Sequence, residues 1–177
     1  MSKLSLSIIL LPGIALILVF LFYFILKNKS FDKPAFKKLS VTIIVWALLL
    51  NFIWEMAQMP LFGGMAFNVE NILFCALASV ADAIMTLLLY FGFAFIYNEP
   101  FWIKNMTPLH TISLIIVGGI GAILAEIRHT SLGNWSYTES MPLLPFVNVG
   151  LSPVLQFMVL PVIIFIICNK KVEFSEH

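Results

Sequence analysis

Five apolar stretches, each on the order of 18 residues or longer, constrain this chain more than any other feature. They cover residues 4–26, 39–59, 71–97, 108–127 and 151–168. About 20 apolar residues in a helix span the roughly 30 Å hydrocarbon core of a bilayer. In hydrocarbon, a backbone must satisfy its own polar groups, so runs of this kind form helices. The sequence therefore predicts an all-α fold: one transmembrane bundle of five spans over residues 1–177. The charge content agrees. Only 11% of the residues are charged, against about a quarter in soluble domains. A net charge of +1 gives no argument for nucleic acid. The partners expected are membrane lipid and a lipophilic small molecule. No protein partner is specified.

The first stretch is too long for the apolar part of a signal peptide and lacks a small-residue cleavage site before Lys27, so it reads as a retained helix. Pro12 and Gly13 are placed to kink it. Residues 27–38 read as a polar loop, with Asp32 among five lysines. Orientation follows from the basic residues. Lys27, Lys29, Lys33, Lys37, Lys38, Lys104, Lys170 and Lys171 fall on one side, and Lys3 and Arg128 on the other. That bias predicts an outside N-terminus and a cytoplasmic C-terminus in a cell membrane crossed several times. Residues 60–70 and 129–150 then face outward. Cys75 and Cys168 lie toward opposite faces, whereas a disulfide needs Cα atoms within about 7 Å. No bridge is expected, and neither cysteine has a metal-type spacing.

The polar residues inside the apolar stretches carry the functional argument. An ionisable group within a span is costly and marks a functional site by default. Glu55 lies about 6 Å below the outer edge, counting about 1.5 Å per residue from Leu39, and Asp82 lies about 16 Å below it. Asn51 and Gln58 share a helix face with Glu55 at i−4 and i+3. Cys75, Ser79, Asp82 and Thr86 form a polar stripe. Glu126 ends the fourth span at its outer side, and Gln156 lies one turn into the fifth. Unsatisfied polar groups in hydrocarbon cost several kcal/mol each. These faces are therefore expected to turn toward one another, forming a polar cavity in the outer half, lidded by residues 130–150.

Plainer readings stand beside this one. Asn51, Gln58, Ser79 and Thr86 are also suited to hydrogen bonding between helices. Glu126, Arg128 and His129 also fit an interfacial charge cluster. Arg128, the chain's single arginine, is suited to pairing with Glu126 or Glu139, or to binding an anionic head group. His129 and His110 are expected to be solvated. Trp54, Trp102, Trp135 and Tyr137 fit an aromatic belt, and Trp135 and Tyr137 equally fit a pocket mouth. Gly118, Gly119, Gly121, Ala122 and Ala125 give the fourth helix a smooth packing face.

No nucleophile elbow, phosphate loop or calcium loop is present. Histidines are too few and too far apart for a metal site, and no cofactor is expected. Carboxylate chemistry remains. A carboxyl in a low-dielectric pocket can stay protonated and serve as a general acid. Two carboxyls in different surroundings can divide acid and base roles. The catalytic candidates are Glu55, Asp82 and Glu126. The binding candidates are Asn51, Trp54, Gln58, Arg128, Trp135, Tyr137 and Gln156.

Asn51-x-x-Trp54-Glu55 resembles a segment of the small integral-membrane terpene cyclases of fungal meroterpenoid pathways. The resemblance implies that Glu55 donates a proton to an isoprenoid epoxide or alkene, with Asn51 and Trp54 as its setting and a second acid assisting. This chain has five predicted spans where that family has seven, and the second acid has no aligned position. Separately, Trp-x-Tyr-x-x-x-Met-Pro-x-x-Pro (residues 135–145) and Gly-Leu-Ser-Pro-x-x-Gln (residues 150–156) resemble a family of uncharacterised bacterial membrane proteins. That likeness implies a bacterial inner membrane and carries no activity. The functions to weigh are acid–base chemistry on a lipophilic substrate, a proton-linked carrier or binding protein, and an accessory subunit. Against the carrier, no inverted repeat or paired broken helices are visible.

Overall fold

A computed structural model describes residues 6–171. Five helices carry most of it: α1 (Leu6–Lys29), α2 (Lys33–Gln58), α3 (Val69–Ile96), α4 (Pro108–Ser131) and α5 (Leu151–Lys171). All five are long and apolar enough to cross a membrane. Among the described residues there is no strand, and two isolated bridges join connecting segments. Lys3 and the expected first residue of the opening span, Leu4, lie outside the described residues.

The helices run further than the apolar stretches predict. Residues 27–38 are not a loop: only Ser30, Phe31 and Asp32 separate α1 from α2. Asp32 caps α2, its carboxylate accepting from the Ala35 N–H at 2.8 Å. Pro34 sits in the first turn, where its missing N–H costs no helical bond. Lys33, Lys37 and Lys38 therefore stand on the helix. At the other ends, α4 continues through Arg128 and His129 to Ser131, and α5 through Asn169 to Lys171. A lysine or arginine in the last turn suits the helix dipole, so charge there does not end a helix.

α3 packs against α1 and α2, and α5 against α2 and α4. Thus α2 lies between α3 and α5. The apolar core fills the lysine-bearing end, around Phe36, Leu39, Tyr90, Trp102, Ile164 and Phe165. Trp102 is not a belt residue. It is buried, and its indole N–H donates to the Tyr90 carbonyl at 3.1 Å. A satisfied N–H removes the main penalty for burying an indole. Nor is His110 free in solvent. It completes the capping box of α4 with Thr107, and its ring lies 4.3 Å from that of Tyr97.

Two features shape the opposite end. The 132–150 connection is tied to the segment that follows α2: Gly63 N–H donates to Ser136 O at 2.8 Å and Thr138 N–H to Leu61 O at 2.9 Å. Leu144 and Val149 then pack on Ala122 of α4 and Val154 of α5. At Gly118 the α4 and α5 backbones nearly touch, since a Cβ there would sit 2.2 Å from the Phe157 carbonyl oxygen. A backbone oxygen cannot move aside as a side chain can. At Gly119 the nearest atom is in the flexible Met158 side chain, at 3.1 Å. Gly118→Ala is therefore expected to destabilise the bundle by about 2–3 kcal/mol, in the range of overpacking. Gly119→Ala is expected to cost less than about 1 kcal/mol. Thermal unfolding in detergent separates the two, and equal melting temperatures would contradict the close approach.

Candidate functional site

The polar residues of the spans meet on the faces of α2, α3 and α5 that look toward one another. Gln156, 1% exposed, is the hub. Its amide nitrogen donates to Asn51 Oδ1 at 2.9 Å and to Asp82 Oδ2 at 3.0 Å. Its oxygen accepts from Gln58 Nε2 at 3.0 Å. Gln58 Nε2 also donates to Glu55 Oε1 at 2.7 Å, and Gln58 Oε1 accepts from Ser152 Oγ at 2.8 Å. Asn51 is held in place by donating to Ala47 O at 2.8 Å.

The Glu55 and Asp82 carboxyls are within hydrogen-bonding reach of each other. Depths counted along the chain put them about 10 Å apart along the bundle. Side-chain direction closes that gap. A helical side chain leans toward the N-terminus of its own helix. α2 and α3 run antiparallel, so Glu55 and Asp82 lean toward each other. A carboxylate only accepts, so a hydrogen bond between two carboxyls requires a proton on one of them. Both are half-buried.

Glu126 forms a second centre. It is buried inside α4, more than a turn before the helix ends. Its Oε2 accepts from the Trp135 indole N–H at 3.2 Å and from the Tyr137 hydroxyl. Burial, followed by the bond to Glu126, raises the pKa of the Tyr137 phenol, which keeps it a neutral donor. Trp135 is steadied from behind by His129, whose ring stacks on it at 4.3 Å. His129 is buried and not solvated, and its Nδ1 bonds Asn134 Nδ2 at 2.8 Å. Trp135 and Tyr137 thus fasten the 132–150 connection over this end.

The remaining candidates fall elsewhere. Arg128 is two residues from Glu126, about 200° round a helix of 3.6 residues per turn, and leaves α4 on another face. Trp54 points toward the α2–α5 seam, where it lines a cavity of about 200 Å³ with Ala57, Gln58, Leu61 and Ser152. Ser79 and Thr86 do not bridge helices. Their hydroxyls donate within α3, to Cys75 O at 2.7 Å and Asp82 O at 2.8 Å, the local alternative open to such residues. The polar side chains mostly satisfy one another, so where a polar cavity was expected there is a packed network with a small cavity at its side. Cys75 and Cys168 are free and buried. Among the described residues, no three His, Cys, Asp or Glu side chains converge so as to hold a metal ion.

Sequence reasoning missed Ser152, His129 and Asn134 as parts of the site. Ser152 could have been found, since it stands one turn before Gln156 on the same face of α5. His129 and Asn134 act through a connection whose path no local pattern specifies. Comparison with protein-family models, curated proteins and solved structures finds no match to this chain.

Proposed function

We propose that this chain is a multi-pass protein of a bacterial inner membrane, with its N-terminus outside and its C-terminus cytoplasmic. We propose that it carries out acid–base chemistry of a cyclase or isomerase type on a lipophilic substrate, an isoprenoid or another lipid. In this reading the Glu55–Asp82 pair supplies and recovers a proton. Gln156, Gln58 and Asn51 set its geometry, and Glu126 with Trp135 and Tyr137 closes the outer side. The supporting observation is the carboxyl–carboxyl contact between two spans, braced by amides. A pair that holds one proton can give it to a bound alkene or ether oxygen and take one back after rearrangement, which is the general acid–base cycle. The Asn-x-x-Trp-Glu likeness points to the same chemistry, with Glu55 as donor. Asp82 fills the place of the second acid, which the likeness left open.

The test is mass spectrometry of organic extracts from gently purified protein, wild type beside Glu55→Gln. The substitution keeps size and hydrogen bonding but removes the acid. The expected result is a lipophilic molecule intact in the variant and converted in the wild type. Bulk phospholipid alone in both samples would favour the carrier or accessory readings. Proton flux in liposomes and co-purification of a partner would then decide between those two.

A further inference from the structure

Among the described residues, the Trp54 indole nitrogen is the one buried side-chain nitrogen or oxygen without a hydrogen-bond partner. Such atoms are rare because each costs about 1–3 kcal/mol when it gives up water without a replacement. This one belongs to a residue that lines a cavity. The cavity walls at the α2–α5 seam are Trp54, Ala57 and Gln58, at i, i+3 and i+4 along one face of α2, Leu61 in the short turn that follows it, and Ser152 in the first turn of α5. Two of those walls, Gln58 and Ser152, are bonded to each other, and Gln58 continues to Glu55 and Gln156. The cavity therefore lies one amide away from the carboxyl pair.

We infer that this cavity is a lateral binding site for the polar end of a neutral lipophile, whose carbonyl, ether or hydroxyl oxygen accepts from the Trp54 indole N–H. The chemistry of the walls selects that class. The unmet group is a donor, so the ligand brings an acceptor. No lysine or arginine lines the cavity, and Glu55 stands one residue along α2, so an anion is disfavoured. The volume, about 200 Å³, equals that of about six or seven waters at about 30 Å³ each. It admits a small head and leaves the apolar chain along the lipid-facing seam. The Nε1 atom is itself covered, so capture requires the indole ring to turn its N–H edge to the ligand. Ser152 Oγ, already donating to Gln58, keeps a free lone pair for a ligand hydroxyl. The inference rests on the proposed function only for the chemistry that follows capture.

The experiment uses the full-length protein in phosphatidylcholine vesicles and two matched photoreactive probes: a long-chain ketone carrying a diazirine beside the carbonyl, and the corresponding hydrocarbon. Adducts are mapped by peptide mass spectrometry. The ketone is expected to label the segments containing Ala57, Leu61 and Ser152, and Trp54→Phe is expected to lower that labelling about fivefold, the worth of one hydrogen bond. The hydrocarbon is expected to label lipid-facing residues equally in both proteins. A second readout does not need the variant: in wild-type protein with ¹⁵N-labelled indoles, the Trp54 N–H resonance is expected to shift with the ketone and not with the hydrocarbon. Equal ketone labelling in wild type and Trp54→Phe, or an unmoved indole resonance, would overturn the site. Glu55→Gln is expected to keep the labelling. Labelling without Glu55-dependent conversion leaves the site standing and removes the catalytic reading. Conversion without labelling does the reverse.

Discussion

Gln156→Leu is expected to destabilise the folded bundle by about 2–5 kcal/mol, read as a lowered unfolding midpoint in detergent. The side chain is close to the size of leucine, so little of the loss comes from an empty volume. The loss comes from three hydrogen bonds between helices: the two donated to Asn51 and Asp82 and the one accepted from Gln58. Between membrane helices, single bonds of this kind average about 0.6 kcal/mol and reach about 1.7. Three such bonds give the range stated. The upper half is the better expectation, because Asn51 Oδ1 and Gln58 Nε2 would remain buried and lose a partner. Gln58 retains its bond to Glu55 and Asn51 its bond to Ala47 O, which limits the loss. A change below about 0.5 kcal/mol would mean that the network closes without Gln156.

That hub explains which parts of this structure a sequence reveals. The five helices were legible because apolar runs of bilayer length leave the backbone no other choice. Their ends were less so. The lysines of residues 33–38 look like a loop when charge is the guide, yet Asp32 followed by Pro34 is a helix start written in the sequence. The meeting of Asn51, Glu55, Gln58, Asp82 and Gln156 was legible for a simple reason: polar groups in apolar helices are cheapest when turned toward each other.

What could not be read was pairing. Distance along each helix separated Glu55 from Asp82, and only the opposed lean of side chains on antiparallel helices brings the carboxyls together. The environment of Glu126 was hidden for another reason. Trp135 and Tyr137 reach it from a connection folded back over the bundle, held by contacts with residues 61–63. Trp102 and His110 were misjudged likewise, because the 98–107 segment turns Trp102 in against Tyr90 and the first turn of α4 brings His110 against Tyr97.

Asp82→Asn is expected to keep the fold and lose the chemistry, with conversion of the lipophilic substrate reduced about 10²–10⁴-fold, the usual worth of a positioned acid or base. Asparagine can reproduce both contacts of Asp82. Its carbonyl oxygen can accept from Gln156 Nε2, and its amide can donate to the Glu55 carboxylate. What it cannot do is share a proton. Its unfolding free energy is therefore expected to lie within about 1 kcal/mol of wild type, whereas Asp82→Leu, which offers neither contact, would lose stability as well as conversion. The contrast separates a structural from a chemical role. If Asp82→Asn converts substrate at the wild-type rate, Glu55 acts as a lone acid and the pair is a packing device. If Asp82→Asn and Glu55→Gln fail equally while both stay folded, the proton belongs to the pair. In that case combining the two substitutions should cost little more than either alone, because residues that act as one unit are not additive.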